Sequence, residues 1–392
     1  MNRRRAISFD FDTPVDRRGT CSLKWDKYKG RGRDVIPLWV ADMDFRSPPG
    51  VLEELEKRVK HGIFGYSVPP GELVDVILSM LQRDYGLEAE PDWIVWLPGL
   101  VTGLNVTCRA VGEDGDGVIT AVPVYPPFLT APRFSRRSLV TVDLVKEGGR
   151  WSFDFDRLEK SITGRTRLFI LCNPHNPVGR VFHRDELETL AAICEKRDMV
   201  VCSDEIHCGL VLDQDKKHIP FATLGPEILK RTITLLAPTK TFNLPGLGCS
   251  FALIQNKELR RKFQDAMAGI VPHVSPLAYT AALSAYRDGY EWHMALLSYL
   301  SENRDTVERF IGEVPGLSMS HVEGTYLAWI DTRAAALEDP VTFFEDAGVG
   351  LFDGAAFGGP GFVRLNFGCP RLTLAEALRR MGKAMSRLGN ER

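Results

Sequence analysis

The sequence predicts an α/β protein: a large domain built on a mostly parallel, seven-stranded sheet flanked by helices, with a smaller α+β domain beside it. Three observations carry this. From Trp93 onward, short apolar runs alternate with stretches of helical period, the pattern of βαβ units. After Pro276 that alternation stops, and helix and strand signals fall in separate blocks. Finally, three consecutive strand-like runs, Leu168 to Cys172, Met199 to Cys202 and Ile233 to Ala237, are followed by an amide (Asn176), a carboxylate (Asp204) and an amine (Lys240). In an open parallel sheet those ends face one crevice.

The elements follow in order. Leu38 to Phe45 is short, apolar and punctuated by acids, as in a strand leading into a loop. Ser47-Pro48-Pro49 opens a helix over Val51 to Lys60, since proline suits a first turn. A glycine- and proline-marked loop carries Phe64-Gly65-Tyr66. A second helix, Gly71 to Asp84, sets Leu73, Val76, Ile77, Met80 and Leu81 on one face. Trp93 to Leu97, Val118 to Val122, Leu139 to Leu144, the three runs above and Ser250 to Ile254 are the seven strands. Leu100 to Val111, Phe155 to Ser161 and Arg184 to Arg197 are helices between them. Leu277 to Arg287, Trp292 to Val314 and Leu372 to Leu388 read as later helices, and Thr325 to Ile330 and Phe362 to Phe367 as strands. The glycine-rich stretch from Gly348 to Gly361 reads as a mobile loop near the site or a plain connector. The expected division is 48–285 for the large domain and 1–47 with 286–392 for the small one.

Composition excludes several classes. With 49 basic and 51 acidic residues the net charge is −2, so no basic excess favours nucleic acid. Arg3-Arg4-Arg5 reads as a solvated tail. Eight cysteines are scattered without a CxxC pair, which suits a reducing compartment rather than a disulfide framework. Residues 1–16 carry no apolar signal core, and no run approaches a membrane span, so the expected location is cytoplasmic. HExxH, GxxxxGK[ST] and GxGxxG motifs are lacking; no metal and no nucleotide are expected.

What the three polar residues share is the chemistry of pyridoxal phosphate. That cofactor needs an amine for its aldehyde, an acid to keep its ring nitrogen protonated and a donor to its phenolic O3′ oxygen. A partly desolvated Lys240 would have a depressed pKa and act as nucleophile and base. Asp204 would pair with the pyridine nitrogen. Asn176 would donate to O3′, placed by its own Asn-Pro turn. Gly99, Leu100, Val101 and Thr102 open a helix after a strand, where backbone N–H groups suit a phosphate dianion. Thr239 could add its hydroxyl there. Tyr125, after another strand, could stack on the ring. Arg364, in an apolar strand, matches a substrate carboxylate bidentately. His207 either touches the cofactor region or is a packed histidine. Taken singly, each has a plainer reading as a loop lysine, a strand-end acid or a turn asparagine.

Together these residues resemble the fold-type I pyridoxal-phosphate enzymes of the aminotransferase class I/II superfamily. The wording of Trp39-Val40-Ala41-Asp42-Met43-Asp44-Phe45, Asn173-Pro174-His175-Asn176-Pro177-Val178-Gly179, Ser203-Asp204-Glu205-Ile206-His207 and Thr239-Lys240-Thr241-Phe242-Asn243 is similar to the cystathionine β-lyase (C–S lyase) branch. The likeness runs from about Trp39 to the end. It implies that Lys240 carries the cofactor covalently, with Asp204, Asn176 and Tyr125 around the ring. It implies a homodimer in which Tyr66 reaches the neighbouring subunit's phosphate. Arg364 would bind the substrate carboxylate, with Ala41 and Asp42 near the entrance. Two departures from the broader aminotransferase pattern also look like the lyase branch: Gly248 stands where an arginine is usual, and His207 where a tyrosine is common. The leading expectation is β-elimination from L-cysteine S-conjugates such as cystathionine. The alternatives are an aminotransferase and a cofactor-binding regulator without turnover.

Overall fold

A computed structural model describes residues 9–30 and 34–390, so the Arg3-Arg4-Arg5 tail lies outside the described residues. The central sheet has eight strands: β1 (Ile94–Leu97), β2 (Gly117–Val122), β3 (Ser138–Glu147), β4 (Arg150–Phe153), β5 (Thr166–Cys172), β6 (Val200–Asp204), β7 (Thr232–Leu236) and β8 (Ser250–Leu253). Their spatial order is β1-β8-β7-β6-β5-β2-β3-β4. The five strands from β7 to β3 are mutually parallel. β1, β8 and β4 pair antiparallel at the flanks. Every residue of β2, β7 and β8 is buried, as a sheet covered on both faces requires.

All seven expected strands are present. The eighth, β4, corrects the strand count. It folds back on β3 through Gly148-Gly149, both at positive φ, as a two-residue hairpin turn needs.

The main helices are α1 (Pro49–His61), α2 (Gly71–Tyr85), α3 (Leu100–Ala110), α4 (Pro127–Phe134), α5 (Phe155–Ser161), α6 (Arg184–Lys196), α7 (Lys257–Met267), α8 (Pro276–Asp288), α9 (Tyr290–Glu313), α10 (Pro340–Asp346) and α11 (Arg371–Asn390). On one face of the sheet α3 sets Leu100, Leu104 and Cys108 against Leu97, Ile233 and Leu235. Gly103 permits this: a Cβ there would stand 3.0 Å from both Leu97 and Leu235. On the other face α6 sets Leu187, Leu190 and Ile193 against Phe169, Leu171 and Val201.

A second, antiparallel sheet holds β9 (Ser318–Met319), β10 (Leu327–Asp331), β11 (Phe352–Asp353) and β12 (Phe362–Asn366), in the order β9-β10-β12-β11. Leu296, Leu300 and Val307 of α9 and Leu374, Leu378 and Met381 of α11 share its core. The N-terminal segment is stitched to it. Ile36–Pro37 pairs in parallel with Val349–Gly350, and the Asn366 N–H donates to the Leu38 carbonyl at 2.8 Å.

The stretch from Gly348 to Gly361 is a packed wall rather than a loose loop. It supplies Val349–Gly350, β11 and a 3₁₀ turn, Gly354–Phe357. Phe357 is fully buried, and its carbonyl accepts from the Val124 N–H at 3.0 Å. Its glycines serve close approach: a Cβ at Gly359 would stand 2.6 Å from the Trp329 ring.

Candidate active site

Strands β5, β6 and β7 lie side by side, with Cys172 opposite Asp204 and Asp204 opposite Leu235. Their carboxyl ends therefore deliver Asn176, Asp204 and Lys240 to one place. There they line a cavity of about 410 Å³, joined by the β1–α3 turn, Tyr125, Thr239, His207 and Arg364. Leu23, Trp39, Val40 and Ala41 from the N-terminal segment and Phe352 of β11 complete the wall. The site thus sits where the second sheet and the N-terminal segment meet the central sheet.

The Lys240 ammonium donates to the Ala41 carbonyl at 2.5 Å. Burial, and then the Arg364 charge, bring its pKa down from 10.5 to about 8, which leaves a usable fraction of free amine near neutrality. Asp204 is 5% exposed, and its Oδ1 accepts from the Ile206 N–H at 3.1 Å. Burial raises its pKa to about 7, with Glu205 adding to the rise and Lys240 opposing it. A cation placed against this carboxylate would hold it ionised.

Arg364 is 1% exposed and has no carboxylate partner among the described residues. Its guanidinium donates to Asn176 Oδ1 at 3.0 Å and to the Trp39 carbonyl at 2.9 Å, and it lies over Phe352 and Phe357 at 5.0 and 4.7 Å. Nε has no partner among the described residues, and burial lowers the group's pKa to about 10. A buried, unpaired guanidinium is costly, so the pocket is built to receive an anion. The same contact orients Asn176: with Oδ1 taken by Arg364, its amide N–H₂ remains to donate. His207 Nδ1 is also buried without a partner. Burial, with Lys240 and Arg364 nearby, holds this imidazole well below its ordinary pKa, hence neutral.

On the same cavity α3 begins at Leu100, and its N-cap residue, Gly99, offers no side-chain cap. The first backbone N–H groups of a helix have no intrahelical acceptor. Here those of Leu100, Val101 and Thr102 belong to residues lining the cavity, beside the Thr239 hydroxyl. Gly248, where an arginine was the common alternative, has φ +62, and a Cβ there would lie 2.7 Å from the Pro98 carbonyl. The turn therefore presses on backbone, and the anion cup is made of neutral donors. An amine, a carboxylate, an amide donor and an anion cup around one cavity fit pyridoxal phosphate.

Two expected residues do not line this cavity. The Asp42 carboxylate is turned away from the cavity onto Arg17 at 2.6 Å, with Lys24 at 3.7 Å, while the Ala41 carbonyl faces Lys240. Tyr66 is fully exposed, against His273, and does not line its own chain's cavity. Conversely, Tyr326 was not singled out from the sequence. It is buried, and its hydroxyl donates to the Ala41 carbonyl at 2.8 Å, sharing that acceptor with Lys240. Only its place at the head of a strand-like run hinted at it. Phe352 and Leu23 carried no signal as lining residues.

An open α/β sheet with a lysine amine, a carboxylate and an anion cup at its carboxyl edge defines an enzyme of the aminotransferase fold. The chain belongs to the aminotransferase class I and II family, whose family model matches residues 33–381. It is 37% identical over 390 residues to cystathionine β-lyase PatB of Bacillus subtilis, covering 96% of this chain and 100% of that protein. The crystal structure of OvoB is 45% identical, with a TM-score of 0.94 over 96% of this chain and 99% of that one. Cystalysin from Treponema denticola, whose structure contains a pyridoxal 5′-phosphate cofactor, is 33% identical, with a TM-score of 0.94 over 97% and 100% of the two chains.

Proposed function

We propose that the chain is a pyridoxal-phosphate-dependent carbon–sulfur lyase. Its substrates are L-cysteine S-conjugates such as cystathionine, and with one water it yields a thiol, pyruvate and ammonia. The observation that carries this is the pairing of a half-buried lysine amine with a buried guanidinium lacking an acidic partner among the described residues, facing one cavity. The names of the similar proteins, a cystathionine β-lyase among them, support the same reaction.

In this reading pyridoxal phosphate, when bound, supplies an electron sink for the negative charge that develops at the substrate Cα. Lys240 is its attachment point and, once released, the base that takes the Cα proton. Arg364 takes the substrate α-carboxylate and, with Asn176, fixes the angle at which the Cα–H bond stands. Asp204 would face the ring nitrogen, and Tyr125 and His207 would flank the ring. Leu100, Val101 and Thr239 would hold the phosphate, with Thr102 and Gly99 shaping the cup. Ala41 receives the Lys240 ammonium at the entrance, and Asp42 acts from behind it by anchoring Arg17. Gly248 disfavours the transaminase alternative, because its backbone leaves no room for the arginine found there in that pattern. The test is to mix the purified protein with cystathionine and assay pyruvate and free thiol. Stoichiometric release of both, lost in Lys240→Ala, is expected; no pyruvate from a panel of thioether amino acids would overturn the assignment.

The working unit in this reading is a homodimer. Ile63, Phe64, Tyr66 and Val68 are exposed on an irregular segment, and Val101 is part-exposed at the start of α3. A second copy over this face would bury them and bring its Tyr66 to the phosphate cup. Eight free cysteines, most of them buried, favour a reducing cytoplasmic setting. No helix among the described residues is long and apolar enough to cross a membrane. The division into 48–285 and 1–47 with 286–392 is retained as the reading of the domains.

A further inference from the structure

Next to Asp204 stands a second acid that the reaction does not call on. Glu205 is 1% exposed and does not line the cavity. Its Oε1 accepts from the Ser203 hydroxyl at 2.8 Å and from the Phe221 N–H at 3.0 Å; its Oε2 meets His218 Nε2 at 2.8 Å. A backbone N–H only donates, so Oε1 is an acceptor from two donors, and the Nε2–H tautomer of His218 supplies a third donor at Oε2. His218 is 5% exposed, and its Nδ1 has no partner among the described residues; it sits edge-on to Tyr85. No lysine or arginine pairs with Glu205 among the described residues. The fold thus buries a second carboxyl group next to Asp204, at a desolvation cost that an apolar side chain would avoid.

A glutamine could serve the same three partners. Its oxygen would accept from Ser203 and Phe221, and its amide would donate to the other tautomer of His218. What glutamine cannot supply is the charge. We propose that Glu205, held by His218, Ser203 and Phe221, is a positioning residue that acts through Asp204: its buried charge helps keep the proton on the ring nitrogen that Asp204 faces. The inference rests on the cofactor placement proposed above. The other titratable groups around Asp204 are Lys240, Tyr125, Cys172 and Cys202, with His207 and Arg364 on the same cavity, and Cys208 with Tyr85 lies behind Glu205. Of these Lys240 and Arg364 carry charge opposite to the acids; in the reading above Lys240 is consumed in holding the cofactor and Arg364 in holding the substrate carboxylate. The burden of favouring the ring proton then falls on the two acids.

The experiment is a pH titration of the holoenzyme, reconstituted with cofactor labelled with ¹⁵N in its ring and followed by ¹⁵N NMR. In Glu205→Gln the midpoint at which the ring nitrogen loses its proton falls by roughly one pH unit, the effect of one nearby charge. The alkaline limb of kcat/KM moves with it. His218→Gln, which keeps both the charge and a donor to it, titrates like wild type. His218→Lys, which sets a cation against the same charge, shifts the midpoint down as Glu205→Gln does, and it decides the matter if Glu205→Gln does not fold. An unshifted midpoint in the charge-neutralising variant overturns the proposal, whatever happens to its melting temperature. An equal shift in His218→Gln overturns it too, because loosening alone would then suffice. Asp204→Asn is the control. If it leaves the ring-nitrogen signal unchanged, the cofactor placement fails; if it alters that signal while Glu205→Gln does not, only this inference fails.

Discussion

Lys240 and Asp204 are displaced by burial toward each other's protonation range, to about 8 and about 7, so the cofactor-free protein should show their opposing signatures. Between about pH 8 and 10.5 the unfolded lysine holds a proton that the folded one lacks, so stability rises with pH across that window. Lys240→Met should flatten the rise in urea unfolding. For Asp204 the folded side chain holds the extra proton between pH 3.8 and about 7, so its contribution falls as pH increases, and Asp204→Asn should remove that fall. At Arg364 the expected effect is on binding. Arg364→Lys loses the planar fork, and kcat/KM for a cysteine conjugate should drop about 10- to 100-fold, from a charged hydrogen bond of about 1.5–3 kcal/mol. Steady-state kinetics with unchanged absorbance of the bound cofactor would separate this from cofactor loss. Lys240, Asp204 and Asn176 were legible in the sequence because each stands at or shortly after the end of a strand. Asp42 was not, because the captors of its carboxylate, Arg17 and Lys24, lie in a segment without periodicity.

At the scale of elements, the anion cup depends on two backbones touching. Gly248 at φ +62 meets the Pro98 carbonyl, and that turn aims the first N–H groups of α3. Gly248→Ala should cost about 1–3 kcal/mol in strain and weaken cofactor binding by displacing the turn. Equilibrium dialysis of the cofactor and a thermal melt would measure the two effects. The strands were readable because a doubly covered parallel sheet writes unbroken apolar runs. The elements that escaped lacked such runs. α4 carries Pro132 within it, and α7 buries only Leu259 and Phe263 amid charges, its start set by Asn256 capping Glu258 and Leu259. α10 is short and begins at Pro340. The glycines of 348–361 suggested slack, whereas their role is contact with Trp329 and Phe362, which only the packed chain reveals.

For the whole molecule, one buried acid ties the two sheets' surroundings together. Glu323 binds Arg180 at 3.0 Å and Arg150 of β4 at 2.6 Å, accepts from the Val181 N–H, and has Lys216 at 3.5 Å. Glu323→Ala leaves Arg180 with Glu186 as its acidic partner but takes the acceptor from the Val181 N–H, and should destabilise the chain by about 1–3 kcal/mol in denaturant unfolding. The exposed face around Phe64 and Tyr66 belongs to this scale as well. Phe64→Asp should give a monomer by light scattering and lower cofactor affinity, if a second copy completes the cup. All of this presupposes that one amine at the edge of the central sheet is joined to the cofactor aldehyde. The direct measurement is borohydride reduction of the purified holoenzyme, followed by proteolysis and mass spectrometry. A phosphopyridoxyl adduct on the peptide containing Lys240, and on no other, is the expected result. An adduct on a different lysine, or none on a protein that still releases pyruvate from cystathionine, would contradict the account.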